Sequence, residues 1–174
     1  SFLKEILIEN NFKVSAYISP HLKNFNERII ISNKQISTKK LIQTLKLVQR
    51  INNNNPITFF EITTAAAFYL FSKSKADFLI LETGLGGRLD ATNVIKESLI
   101  NIITPIGLDH QEILGKKIEK ITLEKLGIIK KNSNIIISKQ SKKVKNFIKQ
   151  KLDNKKNNVS YFGEEFKTIN VNEK

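Results

Sequence analysis

Residues 77–93 read Asp77-Phe78-Leu79-Ile80-Leu81-Glu82-Thr83-Gly84-Leu85-Gly86-Gly87-Arg88-Leu89-Asp90-Ala91-Thr92-Asn93. The first half is an uninterrupted apolar run, the pattern of a strand buried on both faces of a parallel sheet. It ends in a carboxylate and breaks into a glycine-rich turn. Similar short runs occur at 99–104 and 134–138, and a further strand is predicted at 13–18, stopped by Ser19-Pro20-His21. Between the runs lie helical patterns at 38–51, 58–74, 118–129 and 142–152. The stretch 58–74 is the most helix-like, with Phe59, Ile62, Ala65, Ala66, Tyr69 and Leu70 as its expected apolar face and Thr58 and Glu61 at capping-box spacing. Residues 1–11 carry apolar side chains at helical spacing without a cap, and 159–162 and 167–171 are short strand candidates. This alternation predicts an α/β fold, a doubly wound, mostly parallel sheet flanked by helices.

Composition limits the chemistry. The 174 residues suit one domain, 1–174, with 40% apolar content to build a core. With no cysteine, disulfides, thiolate zinc sites and cysteine nucleophiles are excluded, so any metal must be held by oxygen or imidazole. The net charge of +13 invites a nucleic-acid reading, but the excess is lysine scattered among asparagines and isoleucines, while arginine, the preferred base reader, is scarce. A basic nucleic-acid-binding module therefore stays a minor alternative, and no nucleic-acid partner is expected. No apolar run approaches the ~20 residues that cross a bilayer, and no secretory leader pattern is present, so a cytoplasmic protein without a membrane partner is expected.

Ligands of open parallel sheets collect at the carboxyl ends of strands. Three such junctions are rich in functional groups: Ser19-Pro20-His21, the segment from Glu82 to Asn93, and the 104–110 segment ending in Asp109-His110. Gly84, Gly86 and Gly87 would let main-chain amides face an anion or a flat ligand, but a tight turn alone also explains them, and the spacing is neither of the familiar phosphate-loop patterns. Glu82 closes a buried strand, where a carboxylate needs a partner: a metal, or a salt bridge to Arg88. His110 either converges with Glu82 or is an ordinary surface histidine. Lys125 sits in Leu123-Glu124-Lys125-Leu126-Gly127-Ile128-Ile129, an apolar setting that favours the neutral amine, or else it is a solvated lysine on a helix edge.

The segments S-P-H-L at 19–22, N-E-R-I at 26–29, F-F-E-I-T-T-A-A-A-F at 59–68, L-E-T-G-L-G-G-R-L-D-A-T-N at 81–93, G-L-D-H at 107–110 and E-K-L-G-I-I-K at 124–130 follow one another in this order. Together they resemble the folylpolyglutamate synthase and dihydrofolate synthase family of the Mur ligase superfamily, over about residues 1–140.

The resemblance implies an ATP-dependent ligase that joins L-glutamate to dihydropteroate or a tetrahydrofolate (poly)glutamate through an acyl phosphate. By similarity, Ser19, Glu82, His110 and a carbamylated Lys125 would hold magnesium, in two sites, with ATP as co-substrate. Glu82, His110 and Lys125 would be the catalytic set. Imidazole is an uncommon magnesium ligand, so His110 rests on the resemblance more than on ligand preference. Thr58, Phe59, Phe60 and Glu61 with Leu89, Asp90 and Ala91 would contact the pteroate, although Glu61 serves a capping box equally well.

Two departures, Thr83 for the usual valine and Leu126 for the usual alanine, remove no functional group. The family's phosphate loop would precede Ser1, and its glutamate-binding domain would follow the last residues. The chain is therefore expected to be an internal piece of a longer, monomeric ligase. By itself it would be inactive and marginally folded, with strand edges exposed. An ATP-less folate-binding remnant is the alternative.

Overall fold

The computed structural model describes residues 2–153 and 157–169, and the chain forms two compact units, Ser1–Leu85 and Gly86–Lys174.

The first unit opens with helix α1 (Phe2–Glu9) and strand β1 (Val14–Tyr17), all four residues of which are buried. A single turn of 3-10 helix (Phe25–Arg28) follows, then the hairpin of β2 (Ile29–Ile31) and β3 (Lys34–Gln35). The turn residues Ser32 and Asn33 have φ of 46° and 70°. Positive φ at both positions suits the twist of a two-residue hairpin. Asn33 fixes that turn to its neighbour: its Oδ1 accepts the Val14 N–H at 2.6 Å and its Nδ2 donates to the Phe12 carbonyl at 3.0 Å. Helices α2 (Thr38–Asn52) and α3 (Phe59–Ser72) precede β4 (Phe78–Leu81). The sheet order is β3-β2-β1-β4, with β1 and β4 parallel and the β1–β2 and β2–β3 pairs antiparallel. Exposed Lys34 and Gln35 occupy the β3 edge, a placement that discourages further pairing.

The second unit holds β5 (Ile100–Ile103), α4 (Gln111–Leu114), α5 (Ile118–Leu126), β6 (Asn134–Ile137), α6 (Lys142–Leu152) and β7 (Asn158–Tyr161). Its three strands are parallel in the order β5-β6-β7, and α5 and α6 supply the two connections. The core joins Ile103, Ile135 and Ile137 of the strands to Ile121 and Leu126 of α5 and to Val144 and Ile148 of α6.

The fold is α/β with parallel strands flanked by helices, and most expected elements lie within a residue or two of their predicted bounds. Five details differ. The strands gather into two sheets, and the β2–β3 hairpin has no counterpart among the predicted elements. Burial on both faces fails for β4 and β5: Leu79, Ile100 and Ile102 are 42%, 44% and 41% exposed. In β5 the burial alternates, because only one side chain in two reaches the helix-covered core. The buried face of α3 is Thr63, Thr64, Ala66, Ala67 and Leu70, turned from the expected face, so Phe59 and Tyr69 are exposed. Threonine is tolerated inside because its hydroxyl is bonded: Thr63 Oγ1 lies 2.9 Å from the Phe59 carbonyl and 3.0 Å from the buried Tyr17 hydroxyl. The candidate at 167–171 shows no strand over 167–169, and residues 170 and 171 lie outside the described residues. Among the described residues no helix is long and apolar enough to cross a membrane.

Candidate functional site

Parallel pairing of β1 with β4 puts Tyr17 opposite Leu81, so both strands deliver their next residues to the same rim of the sheet. The Glu82 N–H continues the ladder to the Tyr17 carbonyl at 2.9 Å, and the Ser19 N–H donates to Glu82 Oε2 at 3.1 Å. Ser19 and Glu82 are thus brought together by sheet register. The carboxylate is exposed, which corrects the expectation of a buried one, and Arg88 has a partner within its own unit. Arg88 holds Glu124 with Nε and Nη2 at 3.0 to 3.2 Å. With one Oε2 contact to a main-chain donor, Glu82 keeps a carboxylate oxygen for a hard cation, a donor type that fits magnesium. Among the described residues, no three His, Asp or Glu side chains form a metal-binding cluster by themselves.

Beyond Ser19 the chain runs through a cis Ser19–Pro20 bond into His21 and Leu22. Arg28 Nε donates to His21 Nδ1 at 3.0 Å, and the Arg28 guanidinium lies 5.1 Å from the Phe25 ring centre. Phe25 in turn meets Phe59 edge to face at 5.4 Å. Phe59, 68% exposed, offers an aromatic surface for a flat ligand. Phe60 is half-buried. Its ring packs beneath Gly84 so closely that a Cβ there would lie 2.8 Å from Phe60 Cε2, which explains why the turn after Glu82 uses glycine at this position. Thr58 and Glu61 form the capping box. The Glu61 carboxylate accepts the Thr58 N–H at 2.8 Å and the Thr58 hydroxyl at 2.7 Å, and the Glu61 N–H donates to Thr58 Oγ1 at 3.2 Å. The Thr58 hydroxyl and amide hold the Glu61 carboxyl below the usual carboxylate range.

In the second unit the segment from Gly86 to Asn93 is clamped to α5. Gly87, with φ of 153°, lets the main chain pass so near that a Cβ would sit 2.7 Å from the Glu124 carbonyl and 3.2 Å from Lys125 Cα. The Arg88 N–H donates to that same carbonyl at 2.8 Å. Asn93 Nδ2 donates to the Arg88 and Gly127 carbonyls at 3.0 and 3.2 Å, and Lys130 Nζ donates to Asn93 Oδ1 at 2.7 Å. Half-buried Lys125 therefore stands on a helix whose position is set by the glycine-rich segment. Asp90 turns inward on its own loop, accepting the Thr92 N–H at 2.9 Å and hydroxyl at 2.6 Å, while Leu89 is 79% exposed and Ala91 half-buried. His110 starts α4 in the left-handed region with φ of 50°, and its Nε2 and Nδ1 lie 3.6 and 3.9 Å from the carboxylates of Asp109 and Glu112.

Sequence reasoning assigns no role to Glu27, Arg28, Asn93 or Glu124. Only Glu27 carries a local signal, the Asn24-to-Glu27 spacing of a capping box. Arg28 reaches His21 and Phe25 across an irregular loop, and the Glu124–Arg88 and Asn93–Gly127 contacts join residues 36 and 34 apart in the chain.

Similarity to known proteins defines the class. The profile of the Mur ligase middle domain family matches residues 28–174. The chain belongs to that family. Among curated proteins it is 42% identical over 135 residues to the dihydrofolate synthase/folylpolyglutamate synthase of Buchnera aphidicola subsp. Acyrthosiphon pisum, an alignment covering 78% of this chain and 33% of the relative. Among solved structures it resembles Escherichia coli FolC in complex with DHPP and ADP, with a TM-score of 0.85 and 29% identity over 98% of this chain and 40% of that one. It also resembles a bifunctional folylpolyglutamate synthase/dihydrofolate synthase from Yersinia pestis complexed with AMPPNP and Mn ion, with a TM-score of 0.81 and 30% identity over 95% of this chain and 40% of that one. The chain spans about a third of the length of the curated relatives it matches.

Proposed function

We propose that this chain supplies the cation-binding and pteroate-facing part of an ATP-dependent folate–glutamate ligase, as a single partial central domain over residues 1–174. The observation that carries the reading is the Ser19–Glu82 contact at the carboxyl rim of two parallel strands. Ser19, Glu82, His110 and a carbamylated Lys125 would hold two magnesium ions. Bound magnesium would neutralise charge on the phosphates of ATP.

The chain's own residues would do the rest. Glu82 is held in place through Oε2 by the Ser19 amide. The Lys125 ammonium would lose one proton, add carbon dioxide as the amine and release a second proton, leaving an anionic carbamate oxygen donor where a cation stood. Phe59 would stack on the pterin, with Leu89, Asp90 and Ala91 lining the pteroate. Thr58 and Glu61 act on that surface through the helix cap that sets the direction of Phe59, and Phe60 acts by seating the turn after Glu82. In the reaction, the substrate carboxylate takes the terminal phosphoryl group of ATP with release of ADP. The glutamate amine then attacks the acyl phosphate, and the tetrahedral intermediate expels phosphate to leave an amide.

The test is to incubate the intact gene product with ATP, magnesium, dihydropteroate and labelled glutamate. The reading expects labelled dihydrofolate and one phosphate per amide formed. No labelled product and no heat of ATP binding would reject it, and folate binding without ATP binding would favour the ATP-less remnant.

A further inference from the structure

The segment between β1 and β2 is held by more polar contacts than a connection of its length requires. Its neck is closed by the Ile18 N–H, which donates to the Arg28 carbonyl at 2.9 Å. Its base is tied by Asn26 Nδ2, which donates to the Ile36 carbonyl at 2.9 Å and to Thr38 Oγ1 at 3.1 Å. At its centre one carboxylate, Glu27, accepts three successive main-chain N–H groups, from Leu22 at 2.7 Å, Lys23 at 3.0 Å and Asn24 at 2.7 Å. Apolar burial anchors this segment only at Phe25, which packs against the core of the first unit, while Leu22 is 93% exposed. Arg28 adds the Nε contact to His21 and the cation–aromatic contact to Phe25. At the far end of the same segment Ser19 donates to Glu82.

We infer that Glu27 and Arg28 are positioning residues: the Glu27 carboxylate gathers the amides of residues 22–24, Arg28 pins His21, and together they fix Ser19 against Glu82. The inference rests on the cation-binding role proposed above for Ser19. Groups that orient a metal ligand without touching the metal commonly change affinity by about 10- to 100-fold when removed. Glu27→Gln keeps the shape but turns an N–H donor toward the loop amides. Arg28→Lys keeps the charge but loses the planar Nε–H.

Two readouts test this on the intact gene product: amide hydrogen exchange over residues 18–28, and Mn2+ affinity followed by electron paramagnetic resonance with a non-hydrolysable ATP analogue. Glu27→Gln is expected to accelerate exchange in that segment about tenfold or more and to weaken Mn2+ binding about tenfold, with the urea midpoint little changed. Arg28→Lys is expected to do the same to a smaller degree, and it carries the test if Glu27→Gln does not fold. Faster exchange with unchanged Mn2+ affinity would overturn the positioning role and leave a purely structural brace. Unchanged exchange would overturn the brace itself. Failure of the unsubstituted protein to bind Mn2+ would instead overturn the cation role of Ser19, and the exchange data would still report on the brace.

Discussion

Replacing Gly127 with alanine tests how the glycine-rich segment is fixed to the helix that carries Lys125. Gly127 is the C-cap of α5 with φ of −64°, an ordinary helical value, so alanine should gain about 0.5–1 kcal/mol from backbone propensity. Contact works against that gain. The new Cβ would lie 2.6 Å from Arg88 Cα and 2.9 Å from Arg88 Cγ. Arg88 has little room to retreat, because its N–H is bonded to the Glu124 carbonyl, its guanidinium to the Glu124 carboxylate and its carbonyl to Asn93. Overpacking against main chain costs about 1–3 kcal/mol. Shifting Arg88 would also cost about 1 kcal/mol for its amide bond and up to about 1 kcal/mol for the exposed ion pair. The net expectation is a loss of about 1–4.5 kcal/mol, a change of about 5- to 2,000-fold in the unfolding equilibrium at 1.36 kcal/mol per decade. Urea titration of the unsubstituted and Gly127→Ala proteins measures it, and amide exchange should rise in residues 86–93 and 118–127. A variant as stable as the parent, or more stable, would show that Arg88 does not lie over Gly127 and would refute the clamp.

Three other outcomes follow from named contacts. Tyr17→Phe leaves the buried Thr63 and Thr64 hydroxyls without the phenol that lies 3.0 and 3.4 Å away, and urea titration should show a loss of about 1–2 kcal/mol; no loss would mean that the threonines satisfy themselves on helix carbonyls. Gly84→Ala forces the Phe60 ring out of its seat and should cost about 1–3 kcal/mol, partly recovered by adding Phe60→Leu; additive costs in the double variant would deny the contact. Hydrogen bonds from Lys149, then Lys145, hold the Glu164 carboxyl below its ordinary range. Its contribution to stability is then complete above about pH 4.3 and is lost as pH falls through the lower folded value, so the stability gap between parent and Glu164→Gln should shrink on acidification; a gap that widens would contradict the sign.

Legibility in the sequence follows the physics of each feature. Helices α2, α3 and α6 carry cap residues, Ser37, Thr58 and Ser141, whose side chains each accept an amide of the first turn, and such local signals are written in neighbouring residues. The parallel strands are visible as short apolar runs. The β2–β3 hairpin is not, because Ser32-Asn33 lacks the usual glycine and Asn33 is held there by contacts with Phe12 and Val14. The α3 face departs from its pattern because two buried positions are threonines, which pattern reading counts as polar and tertiary hydrogen bonds make acceptable. Most of the candidate site came from a resemblance rather than from periodicity. The Ser19–Glu82 contact depends on strand register, and the Arg88–Glu124 and Asn93–Gly127 contacts depend on chain segments more than thirty residues apart.

The most direct measurement is the position of manganese by anomalous scattering in crystals of the intact gene product grown with Mn2+ and a non-hydrolysable ATP analogue. The account predicts manganese about 2.1 Å from a Glu82 carboxylate oxygen, as expected for a hard octahedral cation, with the Ser19 hydroxyl, His110 and a carbamylated Lys125 completing the two sites. Manganese bound elsewhere, with Glu82, His110 and Lys125 not sharing its surroundings, would contradict it.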